Sequence, residues 1–252
     1  MIDGKVRISV VSYLNSTPFV KGLEGNTHKD LFEITQDIPS ICATKLLNDE
    51  IDIGLIPVAM IPKLKESYIL TDYCIAADGK VASVLIIANE PLESLTTIIL
   101  DSESRTSVLL AKILLKDYWK LTPEFKSETG FDFSSLPQNT GAVIIGNRAL
   151  EYKTNYNYCY DLAEVWKIYT GKPFVFACWV ANKQIDKDIE LILNNLFKEG
   201  LSQREIIAEE LKAQYPQVNI SEYLYKNIQY ELTDECRNGL LLFMELIKKI
   251  QF

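Results

Sequence analysis

The chain opens with a β-branched run, Val6 to Val11, which gives way at once to Ser12, Asn15, Ser16 and Thr17 and then to Pro18. An apolar run of this kind reads as a buried strand. Proline suits the first turn of a helix, where its missing N–H removes nothing. The opening therefore predicts strand, polar turn, helix. Further strands are expected at about 31–36 and 51–56, with a helix from Pro39 to Leu47 whose apolar positions are Ile41, Leu46 and Leu47. Alternation of strand and helix argues for βαβ units and a parallel sheet. A second set begins with the strand Thr96–Asp101, passes through Ser104-Arg105-Thr106-Ser107, and enters the apolar helix Val108 to Trp119. Strands at Glu124–Ser127 and Ala142–Ile145 complete it. From Gln184 onward the pattern turns helical, with Ile189, Leu191, Leu193 and Leu196, then Leu240 to Phe243, Leu246 and Ile247.

Two α/β sets followed by a helical tail predict two lobes with a cleft between them. The strand-like segments Lys80–Ala88 and Phe174–Val180 are the natural crossings, which sets the expected lobes at 1–85 plus 178–252 and at 86–177. No fixed-period repeat and no low-complexity tract interrupts this plan.

Composition narrows the chemistry. Of the 252 residues 48% are hydrophobic and 24% charged, an ordinary globular balance. A net charge of −8 makes nucleic acid and anionic membranes poor partners. No apolar run approaches the ~18 residues of a membrane span. Met1-Ile2-Asp3-Gly4-Lys5 leads straight into the first strand without an export signal, so a cytoplasmic location is expected. The five cysteines are scattered and read as buried thiols without metal-knuckle spacing. The one histidine, His28, sits in a polar loop, which argues against a Ser/His/Asp triad or a histidine metal site. Neither metal nor organic cofactor is expected.

Strands that end in small polar residues before a helix deliver hydroxyls, amides and free N–H groups to one place. In α/β sheets that place is the usual ligand site. Candidates on this ground are Asn15 and Ser16 after the first strand, Ser83 at a lobe crossing, and Thr106 and Ser107 at the start of the second-lobe helix. Ser83 reads equally as a strand serine bonded to backbone, and Thr106 and Ser107 as helix caps. Arg105 offers a planar fork that matches a carboxylate, or else it pairs with Asp101 on the same turn. The tyrosines between Tyr152 and Tyr160 read as edge packing.

Six segments in order resemble the chorismate dehydratase family of the futalosine route to menaquinone. They are Ser12 to Pro18, Asp49 to Pro57, Ser83-Val84, Asp101 to Ser107, Gly146 to Leu150, and Thr170 to Trp179. The resemblance runs from the first strand to about Val180. It implies an α/β, two-lobed fold like the type II periplasmic solute-binding proteins, with chorismate, a dicarboxylate, bound in the cleft. It also implies the loss of water from chorismate to give 3-[(1-carboxyvinyl)oxy]benzoate. Gly146 and Asn147 join the substrate-binding set on this basis, although many relatives carry an acid where this chain has Asn147.

That elimination removes a hydroxyl from ring carbon 4 and a proton from carbon 3. The turns just named hold no ionising base, and Asp101 and Asp52, the nearby acids, read as structural. The resemblance implies that the substrate's own enolpyruvyl carboxylate takes the proton, with Asn15 as the catalytic residue that holds the leaving hydroxyl or the ring. Two rivals stay open. One is a binding or sensing module of the same fold; the other is the related 1,4-dihydroxy-6-naphthoate synthase, whose N-terminal turn is expected to be built of Asp and Pro. Oligomeric state is not legible.

Overall fold

The computed structural model describes residues 4–25, 29–101, 104–128 and 130–250. His28, expected in a polar loop, lies outside them. The first segment holds β1 (Val6–Val11), α1 (Thr17–Glu24), β2 (Phe32–Asp37), α2 (Pro39–Leu47), β3 (Ile53–Pro57) and β4 (Tyr68–Ala77). The middle holds β5 (Val84–Ala88), β6 (Thr97–Asp101), α3 (Thr106–Ile113), β7 (Glu124–Glu128), β8 (Thr140–Ile145), α4 (Gly146–Tyr152), β9 (Tyr158–Asp161) and α5 (Leu162–Thr170). The chain ends with β10 (Phe174–Ala181), α6 (Lys187–Ser202), α7 (Arg204–Leu211), the short α8 (Ile220–Glu222), β11 (Gln229–Glu231) and α9 (Asp234–Ile247).

These strands make two separate mixed sheets. The larger has the order β11-β4-β10-β3-β1-β2 and the smaller the order β7-β6-β8-β5-β9. The expected parallel pairing is present where strands alternate with helices, in β2-β1-β3 and β7-β6-β8. It fails where the chain returns: β10 runs antiparallel between β3 and β4, and β5 runs antiparallel to both β8 and β9. The boundaries expected at 85/86 and 177/178 fall inside β5 and β10. Each strand stays whole in one sheet, so the crossings lie in 78–83 and 171–173.

The core explains how the helices near the strand ends are seated. Phe19 of α1 packs on Trp179 of β10, on Phe197 of α6 and on Tyr230 of β11, with ring centroids 5.6, 4.8 and 5.5 Å apart. Helices α1 and α6 meet backbone to backbone at Gly22 and Gly200. A methyl at Gly200 would lie 1.9 Å from the carbonyl oxygen of Pro18. In α2, Cys42, Ala43 and Leu46 face the core while Ile41 and Leu47 are exposed, so two of the three positions expected to be apolar contacts lie outside. Four cysteines are buried; Cys159, on the edge strand β9, is exposed. Among the described residues, no helix is long and apolar enough to cross a membrane.

Candidate active site

A cavity lies where residues of the two sheets meet. It sits beyond strand ends: Val11 of β1, Pro57 of β3 and Ile145 of β8 line it. Four helices start beside it, contributing Ser16 ahead of α1, Pro39 of α2, Thr106 and Ser107 of α3, and Gly146 of α4. Helix N-termini carry unpaired N–H groups and the positive end of the macrodipole, so their convergence favours an anion. One wall is apolar, with Leu55, Ile75, Val84 and Phe176. Among the described residues no charged side chain lines the cavity, and none form a cluster of three or more His, Cys, Asp or Glu that could hold a metal ion.

Six of the eight residues expected from sequence meet here: Asn15, Ser16, Ser83, Thr106, Ser107 and Gly146. Their hydrogen bonds fix what they offer. Thr106 Oγ1 accepts the Ala59 N–H at 3.2 Å, which leaves the hydroxyl proton to donate. Ser83 Oγ accepts from the Tyr223 hydroxyl at 2.8 Å, with the same consequence. Asn15 Oδ1 accepts from Ser16 Oγ at 3.0 Å, and its side chain lies beside the Tyr223 phenol. Its Nδ2 carries two N–H donors. Thr106, Ser83 and Asn15 therefore present donors on the polar wall, while Ser16 has given its proton to Asn15.

The remaining two residues lie elsewhere. Arg105 is exposed at the N-cap of α3 and does not line the cavity. Asp101, its expected partner, binds Arg148 instead, at 2.9 Å. Asn147 joins the sheets: its Oδ1 accepts the Leu14 N–H at 3.0 Å and its Nδ2 donates to the Tyr215 hydroxyl at 2.9 Å. Beside it Gly146 adopts a left-handed φ of +64°, and a methyl there would stand 3.0 Å from the Tyr13 ring.

Sequence reasoning missed the supports. Asp161 caps α5 and also accepts the N–H groups of Val81 and Ala82 at 3.2 and 2.7 Å. That holds Ala82 at a φ of +63° directly before Ser83. Burial raises the Asp161 pKa, against the pull of those amides. Asp161 followed by Glu164 is a capping-box spacing that marks the start of α5. Tyr230 donates to the Asn15 backbone carbonyl at 2.9 Å. Nothing local in the sequence marks Tyr223 or Tyr230 as site residues.

Similarity to solved structures defines the class. Protein AF1704 from Archaeoglobus fulgidus superposes with a TM-score of 0.76 at 14% identity, over 99% of this chain and 98% of that one. The periplasmic aliphatic sulphonate binding protein SsuA from Escherichia coli follows at 0.63 and 12%, over 97% and 92%. The fold is thus that of the periplasmic binding proteins. The chain belongs to the menaquinone biosynthesis family, whose family model matches residues 6–249. A curated relative, chorismate dehydratase from Thermus thermophilus, is 28% identical over 238 residues, covering 86% of this chain and 87% of its own length.

Proposed function

We propose that this chain is a chorismate dehydratase, a hydro-lyase that converts chorismate to 3-[(1-carboxyvinyl)oxy]benzoate and water. The observation that carries the reading is the set of uncharged donors facing an apolar wall, in a chain with a chorismate dehydratase as relative. Chorismate brings a flat apolar ring and two carboxylates. Charge-assisted hydrogen bonds from Asn15, Ser83 and Thr106, with the N-termini of α1 and α3, suit the carboxylates and the leaving oxygen. Ser16, Ser107 and Gly146 complete the proposed contact set. The two sheets with their helices act as lobes, and closure between them excludes water and strengthens each bond.

The step breaks the C3–H and C4–O bonds, forms the ring double bond, and releases the proton and hydroxyl as water. Aromatisation drives it, so the protein has only to orient and to stabilise developing charge. The lining side chains among the described residues do not ionise near neutrality. The resemblance to the chorismate dehydratase family implies that the base is the enolpyruvyl carboxylate of the substrate itself, with Asn15 steadying the departing hydroxyl.

The test is purified protein with chorismate and no added metal or cofactor, followed by absorbance and mass. An aromatic enolpyruvyl product is expected. Chorismate bound saturably but returned unchanged would overturn the reading in favour of a carboxylate-binding module. Asn15→Ala should cut kcat by about 10²–10³, the usual loss for one preorganised donor, with a smaller effect on KM and an unchanged pH profile.

A further inference from the structure

Tyr223 does not line the cavity and is almost fully buried, yet its hydroxyl donates to Ser83, a side chain on which the proposed chemistry depends. It begins the π turn Tyr223–Asn227 that follows α8. Such single-turn widenings of a helix recur at functional sites. Its bond to Ser83 spans 140 positions of sequence and is buried throughout. Burial pushes its pKa well up, so the phenol stays neutral and keeps its proton.

Direction matters in this cluster. The phenol has a single proton, and it goes to Ser83 Oγ at 2.8 Å. Ser83, having accepted, turns its own proton outward. A buried hydroxyl left without a partner is costly, which holds the order in place.

We propose that Tyr223 is a positioning residue that, by donating to Ser83, fixes the Ser83 hydroxyl as a donor toward the cavity. The role rests on the chorismate dehydratase reading and extends the machinery to the C-terminal segment.

Tyr223→Phe tests it, because the ring and its packing remain. Supporting groups of this kind are typically worth about 10–100-fold, so kcat on chorismate should fall by roughly tenfold or more, and KM should change less. In a Ser83→Ala background the same change should add little, since the hydroxyl acts through Ser83. A hydroxyl that only stabilises the fold would give equal losses in both backgrounds, and that result overturns the proposal. Replacing Tyr223 with 3-fluorotyrosine keeps the hydroxyl and should preserve turnover; a loss matching that of Phe also overturns it, and this variant carries the test where Tyr223→Phe fails to fold. A crystal structure of Tyr223→Phe gives a readout that needs no turnover. The Ser83 hydroxyl should leave its present rotamer, and an unchanged rotamer refutes the role. If the wild-type protein leaves chorismate untouched, the functional reading fails while the rotamer still decides what the tyrosine does.

Discussion

Thr106→Val separates two roles that one hydroxyl combines. Thr106 is buried at the start of α3, and its Oγ1 accepts the N–H of Ala59 from the segment after β3. That bond ties a helix of the smaller sheet to the larger one. Valine has the same shape, so no cavity opens, but the Ala59 N–H loses its partner. A buried donor left unpaired costs about 1–3 kcal/mol. For a chain of this size each kcal/mol moves Tm by roughly 2–4 °C, so a fall of about 2–12 °C is expected by calorimetry. The same change removes one proton offered to the cavity. A hydrogen bond to a charged group contributes about 1.5–3 kcal/mol, which is a loss of roughly 10- to 100-fold in kcat/KM. Thr106→Ser keeps the hydroxyl and gives up one methyl, about 0.8 kcal/mol, and should retain most of the activity. An unchanged Tm in Thr106→Val would refute the tie to Ala59. A lowered Tm with unchanged kcat/KM would refute substrate contact and leave Thr106 as a tie alone.

Asn147→Ala removes both bonds that join Leu14 and Tyr215 through this side chain; KM for chorismate should rise more than kcat falls, and Asn147→Asp, which still accepts from Leu14 and lets the Tyr215 hydroxyl turn round to donate, should be milder by the same assay. Asp52 is buried, which by itself raises its pKa, but hydrogen bonds from Arg7 and Lys183 reverse this and hold it below the usual 3.8. A lowered carboxyl pKa contributes stability that is present above about pH 4 and is lost as pH falls toward the folded value, because the unfolded chain then binds more protons. Asp52→Asn should therefore flatten the acid limb of a stability-against-pH curve. At neutral pH it should cost less than the about 3–5 kcal/mol of a fully buried broken pair, since Lys183 is 44% exposed. Added salt gives a last check: the net charge of −8 repels a dianion at long range, so screening should leave kcat/KM level or raise it modestly. A steep fall with salt would mean that a cation such as Arg105 reaches the substrate after all.

Local pattern carried much of the fold. Buried β-branched runs marked β1, β3, β6 and β8 to within a residue or two, because strands covered on both faces leave few polar positions to confuse the reading. Helix α3 begins at Thr106, before the apolar positions do, since Ser104 Oγ accepts the Ser107 N–H and starts the turn early. Strand β4 escaped notice because Thr71 and Asp72 interrupt it, with Thr71 at a φ of +64°. Strand β9 was hidden in the tyrosine-rich stretch, and helix α5 directly after it went unread although Asp161 and Glu164 mark its start. The antiparallel return of β10 between β3 and β4 depends on a segment about a hundred residues away in sequence, and no local periodicity encodes it.

The candidate site divides along the same line. Asn15, Ser16, Thr106 and Ser107 were legible because each sits where a strand ends and a helix starts, a position that both exposes donors and demands polar residues. The directions of their hydrogen bonds were not legible. They are set by Ala59 across the sheets, by Asp161 behind the crossing, and by Tyr223 and Tyr230 from a segment that reads only as helical tail. Arg105 shows the converse error. Adjacency in sequence to Asp101 suggested an ion pair, but the helix that follows β8, the strand paired beside β6, carries Arg148 to that place. A side chain near a site in sequence earns a role only through its partner's position in space. In this cavity the partners turn hydroxyls into donors without placing a charge in the lining. On the proposed reading, such a site would hold an anion by orientation, and the proton-accepting step would fall to a base that the anion itself brings.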